Sequence, residues 1–501
     1  MKDRVKTACQ ILCLLLVVGL FAVNVYRAAT QSITADEAFT YNKFVSGPIL
    51  RALTEYDANH HVLHTLLCRL TTRWFGLSEF SLRAPSLLGG LLFLIMVWRL
   101  ARLALGRGWL CLLAVATVAL NPLVLDYLSA ARGYSLALGF FFWGLVLLAR
   151  FLVEDYDPPL HVLYRAGVVF GLAVAANLVF LVPVVAAASV FSLALVTGRT
   201  PPRFGDRFQM VLDRLWGPGF VTAFLIVILP LTQATNQNFY YGARSLHEMI
   251  ENIVVISLLH RPSVDGLLGR VPYFEAWPRV ATAFLVPVLA VLLWTAAALA
   301  LLRWIRRRGP EASAIVERSL FLLGGTFGLS FAAVFAAHRW FGVPLPLGRT
   351  GVYWPPLFSL GVVVLAAVLW RMAAPFKVTG AVCAALTLLT LIPFAAGFTT
   401  DQYAEWNYDA GTRRIVSRVM ELHKAVPGRR VRLGVNWQFQ SALEFYRAKD
   451  RLDWLEPVTR DGPDGAYDYY VLLPEDAVVV KKRGLKLLYR DPVSEAVLAA
   501  P

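Results

Sequence analysis

Long apolar stretches recur along residues 9 to 397, and this recurrence constrains the chain more than any motif does. A helix rises about 1.5 Å per residue, so roughly 20 apolar residues cross a hydrocarbon layer about 30 Å thick. Segments of that kind fall at 9–28, 84–101, 109–125, 134–153, 163–177, 179–197, 216–233, 279–302, 319–337, 351–370 and 378–397, about eleven spans in all. With 57% hydrophobic and only 16% charged residues among 501, most of the chain cannot form a water-soluble core. Backbone groups in lipid must be paired, and apolar runs of this length read as helices rather than barrel strands.

The formal net charge of +15 raises the question of a nucleic-acid partner, but the positions of the charges answer it differently. With a cytoplasmic N-terminus, the inner loops carry Lys2, Arg4 and Lys6, then Arg102 and Arg107, then Arg199, Arg203, Arg207 and Arg214, then Arg303, Arg306, Arg307, Arg308 and Arg318. This is the asymmetry of a multi-pass protein of the inner (plasma) membrane, and an odd number of spans puts the C-terminus outside. Lys2 to Tyr26 resembles a secretion signal, but its apolar part is long and no small-residue cleavage site follows, so it reads as an uncleaved first helix. Cys9, Cys13, Cys68, Cys111 and Cys383 fall mostly in apolar spans and show neither a disulfide framework nor zinc spacing.

The expected architecture is therefore a polytopic α-helical membrane unit over 1–397 and a small soluble α/β domain over 398–501. Besides that tail, the stretches 29–83 and 234–278 face the extracytoplasmic side. In the first, Val62, Leu63, Leu66, Leu67 and Leu70 recur at helical spacing, which predicts an amphipathic juxtamembrane helix. The fifth and sixth spans are parted only around Asn177 and read as a pair that is broken there or re-entrant. In the tail, helices are expected at 413–426 and 441–447, and strands at 430–437, 467–473 and 485–489.

Two adjacent carboxylates follow the first span in Ser32-Ile33-Thr34-Ala35-Asp36-Glu37-Ala38-Phe39-Thr40-Tyr41. Thr34 with Glu37 three residues on makes a capping box, and acids in a first helical turn face the helix dipole favourably. Capping accounts for Glu37 better than for Asp36, which stays a candidate for chemistry. Downstream, Asp57-Ala58-Asn59-His60-His61-Val62-Leu63-His64 sets His60 and His64 on one helix face. It lacks the intervening Glu of a zinc protease, so it reads first as polar contacts to a headgroup or phosphate, with a metal site as the alternative. Arg83, Arg132 and Arg349 lie at the outer ends of helices, where positive charge is otherwise avoided. Singly they read as snorkelling to headgroups; together they could converge on one phosphate. The aromatic and amide-rich Asn236-Gln237-Asn238-Phe239-Tyr240-Tyr241-Gly242 suits sugar faces and an interfacial belt equally.

Taken in order, Ala35-Asp36-Glu37-Ala38, Asn59-His60 with its apolar run, Gly76-Leu77-Ser78-Glu79-Phe80-Ser81-Leu82-Arg83-Ala84-Pro85-Ser86 and Ala131-Arg132-Gly133-Tyr134 resemble the superfamily C (GT-C) glycosyltransferases. The resemblance points to the bacterial branch similar to protein O-mannosyltransferases and the lipid A aminoarabinose transferase. It is strongest over the first 150 residues, weaker through Gly348-Arg349-Thr350, and architectural in the tail. It implies transfer of a sugar, with inversion, from a polyprenyl-phosphate carrier to an extracytoplasmic acceptor among lipids, glycans or proteins. By resemblance Asp36 is the catalytic aspartate, Glu37 the second acid, and Arg83 the arginine after the loop. His60 stands where the aminoarabinose transferase pattern has a lysine near the carrier phosphate, since Asn59-His60-His61-Val62 replaces an Asn-Lys-Pro-Pro type run. Arg132 and Arg349 complete the donor-phosphate set, and Asn59 and Tyr134 the substrate contacts. The resemblance makes no cofactor certain and leaves room for a divalent metal, for which Asp36, Glu37 and His60 are the candidate ligands.

The residue chemistry agrees independently of the family. A polyprenyl phosphate leaves as a stable anion and needs no general acid, whereas an acceptor hydroxyl needs one base. Basic side chains can stabilise the departing phosphate without a glycine-rich cradle. The competing readings are a lipid-linked saccharide flippase that breaks no bond, and a membrane receptor whose tail binds glycans. A flippase needs polar residues deep in its spans, and these are few.

Overall fold

A computed structural model describes residues 2–153, 161–197, 204–235, 241–258, 277–306 and 314–501. Arg199, Arg203, Arg307, Arg308 and residues 236–240 of the aromatic stretch lie outside the described residues.

All eleven expected spans are helical, wholly or in their larger part. Among the described residues eight helices are long and apolar enough to cross a membrane, and Trp109–Ala119, His161–Ala176 and Ala374–Leu389 are shorter apolar helices at the remaining three positions. In chain order the elements used below are α1 (Lys2–Thr30), α2 (Ala35–Thr40), α3 (Ile49–Thr54), α4 (Val62–Phe75), α5 (Glu79–Leu105), α6 (Trp109–Ala119), α7 (Pro122–Tyr127), α8 (Tyr134–Val153), α9 (His161–Ala176), α10 (Leu181–Thr197), α11 (Phe204–Val211), α12 (Gly217–Leu231) and α13 (Leu246–Leu258). Exposure along α1 follows the demands of lipid: Leu12, Leu15 and Val18 face outward while Cys13 and Val17 are buried among α5 and α6 side chains. Small residues let the helices meet closely. A Cβ at Gly89 of α5 would lie 2.5 Å from the Leu136 nitrogen of α8, so this crossing requires glycine. The five cysteines are buried and unpaired.

One expected boundary needs correction. The span 109–125 is not continuous: α6 stops at Ala119, and Asn121 caps α7, whose first residue Pro122 has no N–H to continue the ladder. Around Asn177 the chain is broken, one of the two arrangements expected there: the Asn177 side chain caps a short turn, Leu178–Phe180, that leads into α10.

The amphipathic segment forms α4, and Arg69 anchors it by donating to the carbonyls of Phe44 (2.8 Å) and Gly47 (2.7 Å). Beyond the last span, helices Thr412–Lys424 and Gln440–Lys449 pack on a four-stranded sheet of order β1-β2-β4-β3. β1 (Leu433–Val435) runs parallel to β2 (Tyr469–Leu472), while β4 (Val497–Ala500) is antiparallel to both β2 and β3 (Lys486–Arg490). Strand alternation sends Val471 to the helix-covered face and Tyr470 and Leu472 to the other. The helices expected in the tail and three of its strands are present, with shorter strands; β4 and Ala477–Arg483 were not expected. The tail shares a core with the first loop: Ile33, Ala38, Val45 and Cys68 are packed with Ile415, Leu443, Phe445 and Tyr446.

Candidate functional site

The first loop turns into α2 under strict local control. Thr34 accepts the Glu37 N–H at 3.3 Å, and Glu37 accepts the Thr34 N–H at 2.9 Å, which is the capping box expected from Thr34 and Glu37. Asp409, from the segment after the last span, accepts the Ala35 N–H at 2.6 Å. The Tyr446 hydroxyl accepts the Ile33 N–H at 3.1 Å. Asp36 is thereby held in the first turn of a helix whose start is tied down from two directions.

Asp36 looks into a recessed crevice in which its side chain is 19% exposed and that of Arg349 17%. Arg349 Nη1 donates to Asp36 Oδ2 at 2.7 Å and to Glu405 Oε1 at 3.0 Å, and Arg132 Nη2 lies 3.8 Å from Asp36 Oδ2. Burial by itself would raise the Asp36 carboxyl, but Arg132 and Arg349, with the Trp406 side chain, overcome it and hold the group below the usual aspartate range. Glu405 behaves oppositely. Burial pushes its carboxyl up, against the lowering pull of Arg349 and the Tyr127 hydroxyl that donates to it. The crevice thus combines two guanidinium groups with one firmly ionised carboxylate and one that takes up a proton more readily.

Each cation is placed by its backbone. Gly348 has φ +47°, a left-handed conformation, and donates its N–H to Asn252 Oδ1 at 2.7 Å, which sets the short turn Gly348–Gly351 carrying Arg349. Tyr241 lies against the Arg349 guanidinium at 5.3 Å. Arg132 Nη2 donates to Asn59 Oδ1 at 3.0 Å, so Asn59 orients the cation. The Tyr134 ring lies tilted against Tyr127 at 4.7 Å and edge-on to His61 at 5.3 Å, forming an aromatic wall next to these groups.

Asp36, Arg132, Arg349, Asn59 and Tyr134 are therefore gathered about one crevice, and Glu37, Arg83 and His60 are not. Glu37 and Arg83, expected as a second acid and a phosphate ligand, are both fully buried and face each other. Arg83 donates to both Glu37 oxygens (2.8 and 2.6 Å) and to the carbonyls of Gln31 (2.8 Å) and Ser32 (2.7 Å), while Glu37 also accepts the Ala131 N–H. With its donors engaged inside the protein, the pair frames the crevice instead of lining it. His60 is stacked on Phe44 at 3.9 Å and its Nδ1 meets the Glu55 carbonyl at 3.1 Å. Burial lowers it to about 4, so it is neutral near pH 7 and carries no charge for a phosphate.

The three candidate metal ligands are not gathered in one place. Asp36 is committed to Arg349, Glu37 to Arg83, and His60 sits apart on Phe44. No group of three His, Cys, Asp or Glu side chains able to hold a metal occurs among the described residues.

Sequence reasoning missed the contribution of the segment after the last span. Arg27 and Asp126, a buried ion pair between α1 and α7, grip it: Arg27 donates to the Gln402 carbonyl at 3.1 Å and Asp126 accepts the Ala404 N–H at 2.8 Å. Tyr403 lies between Arg27 (4.8 Å) and Arg83 (5.4 Å), and Glu405 is delivered to Arg349. The signal available was the cluster Asp401-Gln402-Tyr403-Ala404-Glu405-Trp406, acidic and aromatic immediately beyond a span.

No protein-family model matches the chain, and no curated protein matches it. Among solved structures it is similar to ArnT from Cupriavidus metallidurans bound to undecaprenyl phosphate, at 17% identity over 97% of each chain with a TM-score of 0.42. It is similar as well to the Archaeoglobus fulgidus oligosaccharyltransferase in complex with Zn and sulfate, at 12% identity over 97% of this chain and 73% of that one, TM-score 0.48. The arabinofuranosyltransferase AftD from Mycobacteria matches at 17% identity over 84% of this chain and 30% of that one, TM-score 0.42.

Proposed function

We propose that this protein is an inverting glycosyltransferase that moves a sugar from a polyprenyl-phosphate carrier to an acceptor on the extracytoplasmic side of the membrane. The observation that carries the reading is the Asp36 carboxylate, 2.7 Å from Arg349 and with Arg132 at 3.8 Å, at a crevice of an integral membrane protein. An in-line displacement needs those parts and little else. The acceptor oxygen attacks the anomeric carbon and the carbon–oxygen bond to phosphate breaks with its electrons staying on the phosphate. The acceptor proton passes to Asp36. Arg349 and Arg132 stabilise the phosphate as its charge grows.

An aspartate held low is a weak base while both arginines serve it. A bound donor phosphate competes for Arg349 with Asp36 and Glu405, which relaxes the hold on Asp36 as the substrate arrives. A largely apolar cavity of about 160 Å³, lined by Ile250, Ile253 and Val254 of α13 with Phe327, Trp354 and Phe358, offers room for the start of an isoprenoid tail. It adjoins the crevice through α13, whose Asn252 holds Gly348. The charge asymmetry of the loops supports a cytoplasmic N-terminus, with 1–397 as the membrane-embedded catalytic unit and 398–501 an extracytoplasmic one.

The test is transfer from a panel of labelled polyprenyl-phosphate sugars to membrane-derived acceptors by purified protein. Asp36→Asn is expected to fold and insert normally while transfer falls by about 10²–10⁴-fold, the usual weight of a positioned base. Near-normal transfer by the folded variant overturns the mechanism.

A further inference from the structure

Arg349 Nη1 serves two carboxylates from different parts of the chain, Asp36 Oδ2 at 2.7 Å and Glu405 Oε1 at 3.0 Å. With Arg132 3.8 Å from Asp36, the crevice sets two guanidinium groups against two carboxylates, which sum to no net charge. The phosphate of a polyprenyl-phosphate sugar is a phosphodiester and carries a single negative charge. Its entry leaves the recessed site one charge negative, and an unbalanced charge with little water around it is costly. A carboxylate that meets a further anion takes up a proton more readily, so one of the two acids can restore neutrality.

The surroundings choose between them. Asp36 has both guanidinium groups beside it and is held below the ordinary aspartate range. Among the described residues Glu405 has an ion pair with Arg349 only, and burial raises its carboxyl against that cation and the Tyr127 hydroxyl. The other titratable groups that act on it are Asp36, Arg132 and the phenols of Tyr134, Tyr241 and Tyr408, and those phenols are uncharged near pH 7. The Glu405 side chain is 33% exposed, so a proton reaches it from solvent.

We propose that Glu405 is a binding residue for the donor phosphate: it holds Arg349 as a carboxylate, takes up a proton as the phosphate reaches Arg349 and Arg132, and then donates its O–H to a phosphate oxygen. The inference rests on the glycosyltransferase reading of the crevice and deepens it. No bond to carbon changes in this step; the proton is gained from water on binding and returned when the carrier leaves. A neutral carboxyl offers the donor that an ionised one lacks, and a hydrogen bond to a charged acceptor is of the stronger kind. Asp36 keeps its charge, as a base must. A brace that merely holds Arg349 in place makes the opposite prediction, since its loss weakens phosphate binding at every pH.

The measurement is calorimetric binding of polyprenyl methyl phosphate, a sugar-free phosphodiester, to the full-length protein in detergent, across a pH series and in pairs of buffers that differ in ionisation heat. A phosphodiester keeps its single charge throughout, unlike the monoester carrier, whose second ionisation falls near about pH 6. Protonated Glu405 favours the ligand, so affinity is level below the carboxyl's pKa in the free protein and falls as pH rises above it. Because burial raises that carboxyl, the fall should start above the ordinary glutamate range. Within this window wild type should take up about one proton per ligand, with Kd rising about tenfold per pH unit. Glu405→Gln should bring the uptake to near zero and, at the basic end, bind about 10-fold tighter than wild type because a like charge is gone. Tyr127→Phe removes a hydrogen bond to the ionised carboxylate, so its window should move to higher pH. Uptake that persists in Glu405→Gln overturns the proposal, and so does an unmoved window in folded Tyr127→Phe. Weaker binding by Glu405→Gln at every pH overturns it too and leaves Glu405 as a brace for Arg349. Wild-type binding without uptake removes the proposal alone, whereas no binding by folded wild type at any pH removes the phosphate site and the transfer reading with it.

Discussion

At the scale of single residues, two carboxylates adjacent in sequence have divergent surroundings. Glu37 is fully buried against Arg83, whereas Asp36 is reached by solvent and flanked by Arg349 and Arg132. A base works in its ionised form, and kcat/KM reports the free enzyme. Because Asp36 is held below the ordinary aspartate range, the acid limb of a pH–kcat/KM profile is expected below that range, with activity persisting as pH falls toward it. Arg349→Ala removes one of the two lowering cations and leaves the raising effect of burial, so the limb should move to higher pH. The same variant should lose about 10²–10³ in rate, since a donor to the leaving phosphate is gone. An unmoved limb would show that another group titrates. Breaking the buried pair with Glu37→Leu should instead cost stability, on the order of 3–5 kcal/mol, read as a lower unfolding midpoint in detergent. Glu37 was legible as a cap because Thr34 stands three residues before it; its commitment to Arg83 joins residues far apart in the chain and was not.

Among the elements, helices were the most legible part, because a span is recognised from its own composition. The breaks were less so. At Asn121-Pro122 a cap and a missing N–H divide one apolar run into α6 and α7, and hydropathy averages over both. β4 escaped notice because four residues at Val497–Ala500 carry too little alternation to declare a strand until β2 and β3 flank them. The turn Gly348–Gly351 shows how an element positions a charge: its φ of +47° suits glycine, and its N–H is spent on Asn252. Gly348→Ala adds a left-handed penalty of about 1–2 kcal/mol at this turn. The expected outcome is a drop in transfer with a modest change in the unfolding midpoint, checked on the same purified sample. A loss of transfer matched by wholesale unfolding would argue that the turn holds the fold and not Arg349.

Across the whole molecule, the segment after the last span belongs to the site. Glu405 binds Arg349, Asp409 holds the start of α2, and Tyr446 fastens the Ile33 backbone. Deleting residues 401–501 should therefore abolish transfer, including by protein that still inserts into the membrane. Transfer that survives the deletion would show that the crevice is complete within the membrane unit and the first loop.

What the sequence determined by itself was whatever rests on neighbours along the chain: the apolar spans, the charge asymmetry of their loops, the Thr34–Glu37 cap, and the identity of Asp36 as the acid that capping leaves over. Burial and pairing across long separations belonged to the tertiary structure alone. It turned Arg83 inward, drew Arg132 and Arg349 to Asp36, and brought Glu405 to the Arg349 cation. The physical reason is that a side chain's charge and free hydrogen-bonding capacity depend on what surrounds it in space, and residues as much as 375 apart supply those surroundings here.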